Sequence, residues 1–128
     1  MAQNKNEYIC AFAIETLDLV KMPLLNGRSL NNEIKRIIST VQTDKNGKTI
    51  AVFYSHFYNY RPNCTWKLNP YRRPLLQNCV KDLVDEYRGP IMISKEIPNP
   101  NEPLSTIATN MTSSDLQYIE KYCAQNSN

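Results

Sequence analysis

Residues Lys48 to Tyr60 read Lys-Thr-Ile-Ala-Val-Phe-Tyr-Ser-His-Phe-Tyr-Asn-Tyr. If this stretch is extended, alternate residues share a face, and both faces are largely apolar. One face carries Ile50, Val52, Tyr54, His56, Tyr58 and Tyr60, and the other carries Ala51, Phe53, Ser55, Phe57 and Asn59. Because β-branched and aromatic residues are typical of strands, the stretch predicts a central strand. Its two apolar faces predict that helices cover at least one side of the sheet.

The chain before this strand predicts one strand and one helix. Residues 7–16 alternate apolar side chains on two faces, which indicates a first strand. A helix is predicted to begin within 29–31, where Ser and Asn side chains suit a first turn. Its apolar stripe consists of Leu30, Ile34, Ile37, Ile38 and Val41. An alternative ends the helix near Arg36 and pairs a strand, 37–43, with the central strand through the turn 44–47, Asp-Lys-Asn-Gly.

The chain after the central strand predicts a second helix between two strands, and then a further strand and a last helix. The second helix is the clearest element, because Pro74 suits a first helical position and Gly89-Pro90 ends the helix after Arg88. Its apolar face consists of Leu75, Leu76, Cys79, Val80, Leu83, Val84 and Tyr87. The remaining elements are strands at 64–68, 91–97 and 104–111, a polar loop at 98–103, and a helix from Ser113 or Ser114.

This order of elements predicts an α+β fold in a single domain spanning 1–128, with 1–6 and 125–128 flexible. The first six elements match the ferredoxin-like βαββαβ arrangement, an antiparallel sheet with helices on one face. A C-terminal strand-helix extension follows them. Because many unrelated functions share such an order, it predicts little about activity.

Composition indicates an ordinary globular protein, with 41% hydrophobic and 21% charged residues and a formal net charge of +3. No apolar run is long enough to span a bilayer, and Glu7 precedes the apolar run 8–14 where a signal sequence would carry positive charge. The four cysteines are widely spaced, without the clustered pattern of a zinc site. We therefore expect reduced thiols, no metal, no membrane contact and an intracellular protein, cytoplasmic or nuclear.

Charge is unevenly distributed along the chain. Residues 45–81 contain seven basic residues and no acidic residue, together with seven of the twelve aromatic residues. Basic side chains neutralise phosphates and exposed rings stack on bases, so this combination suits single-stranded nucleic acid or RNA. The candidate stacking residues are Tyr54, Tyr58 and Trp66. The alternative is that most of these rings belong to the hydrophobic core, since strands favour aromatic residues.

Arg72 and Arg73 precede the predicted second helix, where the helix dipole is already positive. Two guanidinium groups beside free first-turn amides would bind a phosphate or carboxylate of a partner. The candidate anion site therefore consists of Arg72, Arg73, Lys67, Arg61 and Tyr71. The alternative is that both arginines pair with acidic residues of a neighbouring element or with a partner protein.

No catalytic set can be assembled from the sequence. His56 is the only histidine, and no nucleophile motif or glycine-rich phosphate loop accompanies it. With three glycines in the chain and no cofactor motif, we expect no cofactor. We therefore expect a non-enzymatic binding protein that contacts a macromolecular partner through the basic, aromatic surface of 45–81. The alternative is a protein–protein adaptor or an inhibitor subunit of a larger complex without nucleic-acid contact.

Overall fold

The computed structural model describes residues 6–59 and 64–127. These residues form seven strands and three helices. In chain order the elements are β1 (Glu7–Ala13), β2 (Leu17–Leu25), β3 (Arg28–Ser29), β4 (Ile34–Thr43), β5 (Thr49–Tyr58), α1 (Arg72–Leu75), α2 (Lys81–Glu86), β6 (Ile91–Asn99), β7 (Glu102–Thr109) and α3 (Ser113–Gln125).

The seven strands form one antiparallel sheet, in which six follow the order β3-β2-β1-β6-β5-β4 and β7 pairs with β6 outside this order. The long strand β6 pairs with β1 along Ile91–Ile93 and with β7 along Lys95–Asn99. The sheet curls into a half-barrel, and this brings β3, at one end of the order, close to β4 and β5 at the other. Arg36 on β4 donates a hydrogen bond to the Gly27 carbonyl at 3.4 Å across this junction.

The two faces of the curled sheet have different coverings. The three helices pack on the convex face, where Phe53, Ile93, Leu75 and Ile119 are fully buried in one hydrophobic cluster. The concave face holds a smaller apolar cluster of Cys10, Leu24 and Met92. Alternate residues of β5 therefore enter two environments: Phe53 and Phe57 face the helices, whereas His56 faces the inside of the curl.

The ferredoxin-like prediction is wrong, because the first predicted helix is the strand β4. Strand β4 pairs with β5 along Ile34↔Tyr58 to Thr43↔Thr49, with bulges after Ile38 and Gln42. The Asp44 carboxylate accepts hydrogen bonds from the backbone of Asn46 and Lys48, which fixes the hairpin turn. The apolar residues whose spacing suits a helix are divided between the two faces of this strand, and the bulge after Ile38 places Val41 on the same face as Ile38. The alternative with a strand at 37–43 was closer, although the strand begins at Ile34.

The second predicted helix is also wrong as a single element. Residues 74–88 contain the end of α1, a turn, and the separate helix α2. Val80 lies at the break with extended backbone angles and is 73% exposed. Leu75 and Leu76 are adjacent and both fully buried, and α1 ends there, with Leu76 as its C-cap residue. The predicted strand at 64–68 is reduced to one bridge between Leu68 and Arg88.

Other sequence predictions agree with the fold. β5 is a central strand between β4 and β6, and β6 and β7 match the predicted strands at 91–97 and 104–111 within a few residues. α3 begins at Ser113, and its capping box consists of Thr112 and Asp115. Within residues 6–59 and 64–127, no helix combines the length and apolar character required to cross a membrane.

Candidate functional site

A buried polar row crosses the concave face. His56 on β5 is 2% exposed and lies between two serines from other strands. Ser29 Oγ on β3 is 2.5 Å from His56 Nδ1, and Ser94 Oγ on β6 is 2.7 Å from His56 Nε2. A neutral imidazole has one donor and one acceptor nitrogen, so one serine donates to the ring and the other accepts from it. Both ring nitrogens are therefore satisfied without a charge.

His56 remains neutral because its surroundings disfavour the imidazolium. Burial, and to a smaller extent the nearby positive charge of Arg36, lower the pKa of His56 from 6.5 to about 3. Among the described residues, the hydrogen-bond partners of the two ring nitrogens are serine hydroxyls and not charged groups. At neutral pH this histidine is a fixed hydrogen-bonding group rather than a cation.

An ion pair lies beside this row on the same face. Arg36 Nη1 on β4 is 2.7 Å from Glu96 Oε2 on β6, and Thr106 on β7 donates a hydrogen bond to Glu96 Oε1 at 2.5 Å. The Arg36 guanidinium also lies 4.0 Å from the centroid of the Tyr54 ring. The Glu96 carboxylate packs against Gly27, and a Cβ at that position would lie 2.6 Å from Glu96 Oε2. The charges of Arg36 and Glu96 are thus balanced within the chain.

A cavity of about 250 Å³ opens against the polar row. The exposed residues of its lining are Pro23, Leu30 and Asn31, and the polar residues Ser29 and His56 are part of its wall. The residues that line it are Phe12, Met22, Pro23, Ser29, Leu30, Asn31, Ile34, His56, Phe57, Tyr58, Pro90 and Met92. None of these described lining residues carries a formal charge at neutral pH.

A second exposed feature, which we call the Trp66 surface, consists of Tyr58, Trp66, Lys67 and Arg88. The Trp66 ring is 37% exposed, and its centroid lies 5.3 Å from that of Tyr58. Its other support is Gly89, where any Cβ would collide with the indole. Arg88 Nη1 donates a hydrogen bond to the Trp66 carbonyl at 3.0 Å, and the Gly89 amide donates to the Lys67 carbonyl at 3.1 Å. The side chains of Lys67 and Arg88 are exposed.

The two arginines of the predicted anion site contact other parts of the chain. Arg72 donates to the backbone carbonyls of Asp85 and Asn69, each at 3.0 Å. Arg73 Nη1 is 2.9 Å from the Asp85 carboxylate in an exposed ion pair. These contacts correspond to the alternative of pairing with a neighbouring element. The helix that begins at Arg72 has only four residues, so the case for an anion rests on the guanidinium groups alone. The anion site stays a prediction.

The other predicted site residues are dispersed. Tyr71 packs against the core beneath the convex face, away from Tyr54 beneath Arg36. Tyr58 and Trp66 are brought together, and Lys67 lies beside Trp66. Of the three candidate stacking residues, Trp66 is exposed, whereas Tyr54 and Tyr58 are half-buried. Arg61 lies outside the described residues. Two further rings of the basic segment, Phe53 and Phe57, belong to the core.

All four cysteines are free thiols in the described chain. Cys10 and Cys123 are buried, and burial raises the pKa of each thiol to about 12. Cys64 and Cys79 are half-buried. Among residues 6–59 and 64–127, no cluster of three or more His, Cys, Asp or Glu side chains could hold a metal ion.

Sequence reasoning missed the partners of His56. Ser94 interrupts the apolar run of β6 at a buried position, and a polar residue in such a run indicates a buried hydrogen bond. Ser29 carried no comparable signal, because its contact depends on how far the sheet curls. Arg36 and Glu96 are 60 residues apart and become neighbours only through the order of the strands.

Comparison of the chain with family models, curated protein sequences and solved structures found no significant match.

Proposed function

We propose that this protein is a non-enzymatic intracellular binding protein that contacts single-stranded nucleic acid through the Trp66 surface. The observation that carries the proposal is the exposed Trp66, which lines one groove together with the exposed cation Lys67 and another together with the exposed cation Arg88. Stacking on a base and neutralising a phosphate are the two interactions that such proteins combine.

The support beneath Trp66 favours a role in stacking. The ring rests on the backbone of Gly89 and against Tyr58, so its position is fixed before any ligand arrives. A ring held in this way loses little conformational entropy on binding. Stacking of one base on an exposed aromatic side chain contributes about 1–3 kcal/mol.

The charges around Trp66 predict a modest affinity for single-stranded nucleic acid. Trp66 lines two grooves, one together with Lys67 and Glu15, the other together with Arg88 and Glu86. Each groove therefore holds one cation and one carboxylate. Two phosphate contacts on a single strand would give a slope of log K against log salt of about −1.4.

Trp66 is the only tryptophan, so its emission reports on this surface alone. We expect a single-stranded oligonucleotide, such as a uridine 12-mer, to quench this emission saturably, with binding weakened by added salt. In an anisotropy assay with a labelled 12-mer, Trp66→Ala should weaken binding by about 1–3 kcal/mol. Lys67→Ala and Arg88→Ala should each weaken binding and make the salt slope shallower.

The matched control is Lys35→Ala, because Lys35 is an exposed cation on β4, outside the Trp66 surface. It should bind like the wild type. The proposal is wrong if the 12-mer leaves Trp66 emission unchanged at low salt, or if Lys35→Ala weakens binding as much as Lys67→Ala.

A second candidate is the protein–protein adaptor, favoured by an exposed apolar patch on the sheet. Ile38, Val41 and Ile50 are each more than 40% exposed, and they lie on the β4–β5 hairpin beyond its contact with β3. Exposed apolar side chains gathered on a strand edge are typical of contacts with another protein. This candidate predicts that Val41→Lys abolishes partner contact while Lys67→Ala leaves it unchanged.

A further inference from the structure

We propose that the cavity against His56 is a binding site for a small neutral molecule with an aromatic or other apolar body and one hydrogen-bonding group. The body would occupy the apolar part of the cavity between Met22, Ile34 and Met92, and the polar group would meet Ser29. This site is separate from the Trp66 surface and does not depend on the function proposed for it.

The charge of the wall selects a neutral ligand. No lining residue of the described chain is charged, since burial holds His56 in its neutral form. Arg36 and Glu96, the ion pair beside the polar row, are 2.7 Å apart and already paired with each other. An anionic or cationic ligand would lose its hydration without gaining a counter-charge, which is a large cost in an apolar cavity.

The size of the cavity limits the ligand to about one or two rings. A closed apolar cavity of about 150 Å³ is enough to bind benzene. At about 250 Å³, this cavity is larger, and Pro23, Leu30 and Asn31 in its lining are exposed. A bicyclic aromatic compound such as a naphthol or an indole is therefore the appropriate class.

The polar row fixes where the ligand's polar group would bind. A serine hydroxyl has one donor and two acceptor positions, and Ser29 uses one of these on His56. The buried Ser94 holds the opposite ring nitrogen and so keeps the imidazole in place. Ser29 therefore has hydrogen-bonding capacity left at the cavity wall, in a fixed orientation, for a hydroxyl or N–H group.

The row of Ser29, His56 and Ser94 also has the order of a nucleophile, a base and an orienting group. In a serine hydrolase the base must accept the serine proton and become a cation. Here the orienting group is a neutral hydroxyl instead of a carboxylate, and Arg36 further disfavours a cationic ring. The geometry therefore supports binding rather than acyl transfer.

Methionine methyl NMR provides a site-specific test. Met22 and Met92 line the cavity, whereas Met111 lies in the core beneath the convex face; Met1 is outside the described residues. We expect 2-naphthol to shift the Met22 and Met92 methyl signals saturably and to leave Met111 unchanged. We expect 2-naphthoate, which has a similar ring system but a negative charge, to bind at least tenfold more weakly.

Two variants separate binding in the cavity from general adsorption. Ile34→Trp should fill the cavity and abolish the naphthol response, while Ile50→Trp, the same change at an exposed site on the same hairpin, should leave it intact. Ser29→Ala should weaken naphthol binding about tenfold. If Ser29→Ala does not fold, the ligand comparison and the Ile34→Trp and Ile50→Trp pair still test the site.

Three results would overturn the proposal. The first is the absence of a saturable shift at millimolar 2-naphthol, and the second is an equal response in Ile34→Trp and wild type. The third is binding of 2-naphthoate as tight as that of 2-naphthol. Covalent labelling of Ser29 by a fluorophosphonate, absent in His56→Gln, would instead establish an acyl-transfer site and contradict a purely binding role.

Discussion

At the scale of single residues, the concave face depends on small side chains at the junction of the sheet. Gly27 lies at the turn before β3 with φ of +79°, and its missing Cβ leaves room for the Glu96 carboxylate. Both features require glycine, since a side chain would be strained by the backbone and would also contact Glu96.

Gly27→Ala should therefore destabilise the protein more than Gly47→Ala does. Gly47 has nearly the same backbone angle, φ of +80°, but open space where a Cβ would be added. We expect Gly47→Ala to cost about 1–2 kcal/mol from backbone strain, and Gly27→Ala at least about 1 kcal/mol more from displacement of Glu96. Urea unfolding measures both, and equal losses would show that the Glu96 carboxylate does not pack against Gly27.

The thiols should react in an order set by burial. In the native protein we expect maleimide to modify Cys64 and Cys79 before Cys10 and Cys123, because burial raises the pKa of the last two to about 12 and shields them. Under denaturing, non-reducing conditions all four should react. Peptide mass spectrometry resolves the sites, and labelling of Cys10 as fast as Cys64 would contradict its placement in the concave cluster.

At the scale of elements, strands with strong local patterns could be predicted from the sequence, and irregular elements could not. The strand β5 can be predicted because β-branched and aromatic residues occupy both of its faces over ten residues, without a glycine or proline. The sequence of β4 predicts a helix, because its apolar residues recur at spacings that also fit a helical stripe. In the strand, Ile37 lies on the face opposite Ile34 and Ile38. Only the bulge after Ile38 returns Val41 to the face of Ile38. The pattern of β4 alone fits a helix or a strand, and its pairing with β5 decides for the strand.

The break between α1 and α2 has a similar origin. The apolar residues of 75–87 fit one helical face, but the buried ones, Leu75, Leu76 and Tyr87, lie on either side of α2, and no residue of α2 itself is buried. Helical spacing indicates which side chains are able to share a face and does not show whether a neighbouring surface exists to cover them.

Leu76→Ala and Val80→Ala test this division. Leu76 is fully buried and Val80 is 73% exposed, although both were predicted to pack across the sheet. Leu76→Ala should cost about 2–5 kcal/mol, and Val80→Ala should change stability by less than about 0.5 kcal/mol. Comparable losses in thermal or denaturant unfolding would support the single long helix instead.

At the scale of the whole molecule, the curl of the sheet creates the candidate ligand site. Ser29, His56 and Ser94 come from β3, β5 and β6, and β3 is at the far end of the strand order from β5. No local pattern encodes this approach. Residue type and charge indicate Tyr58 and Trp66 as candidate stacking residues, and the fold places the two rings side by side; their role in binding stays a prediction.

The burial of His56 should make stability depend on pH. The native pKa of about 3 lies below the unfolded value of 6.5, so the unfolded state binds the proton more readily. Stability should therefore fall as pH drops below about 6.5, by about 2 kcal/mol between pH 7 and pH 5. In His56→Leu this slope should be reduced by the same amount, whatever the absolute stability of the variant. Equal slopes in the two proteins would contradict the buried neutral histidine.

The most direct test of the curled sheet is an NMR titration of the His56 imidazole. Because the chain has one histidine, long-range proton–nitrogen spectra of the ring contain only its signals. If β3 closes over β5, the ring should remain neutral, as a single tautomer, from pH 7 down to pH 5 in the folded protein. A titration midpoint near 6.5 in the folded protein would show that His56 is exposed to water and that the concave face is not closed as described.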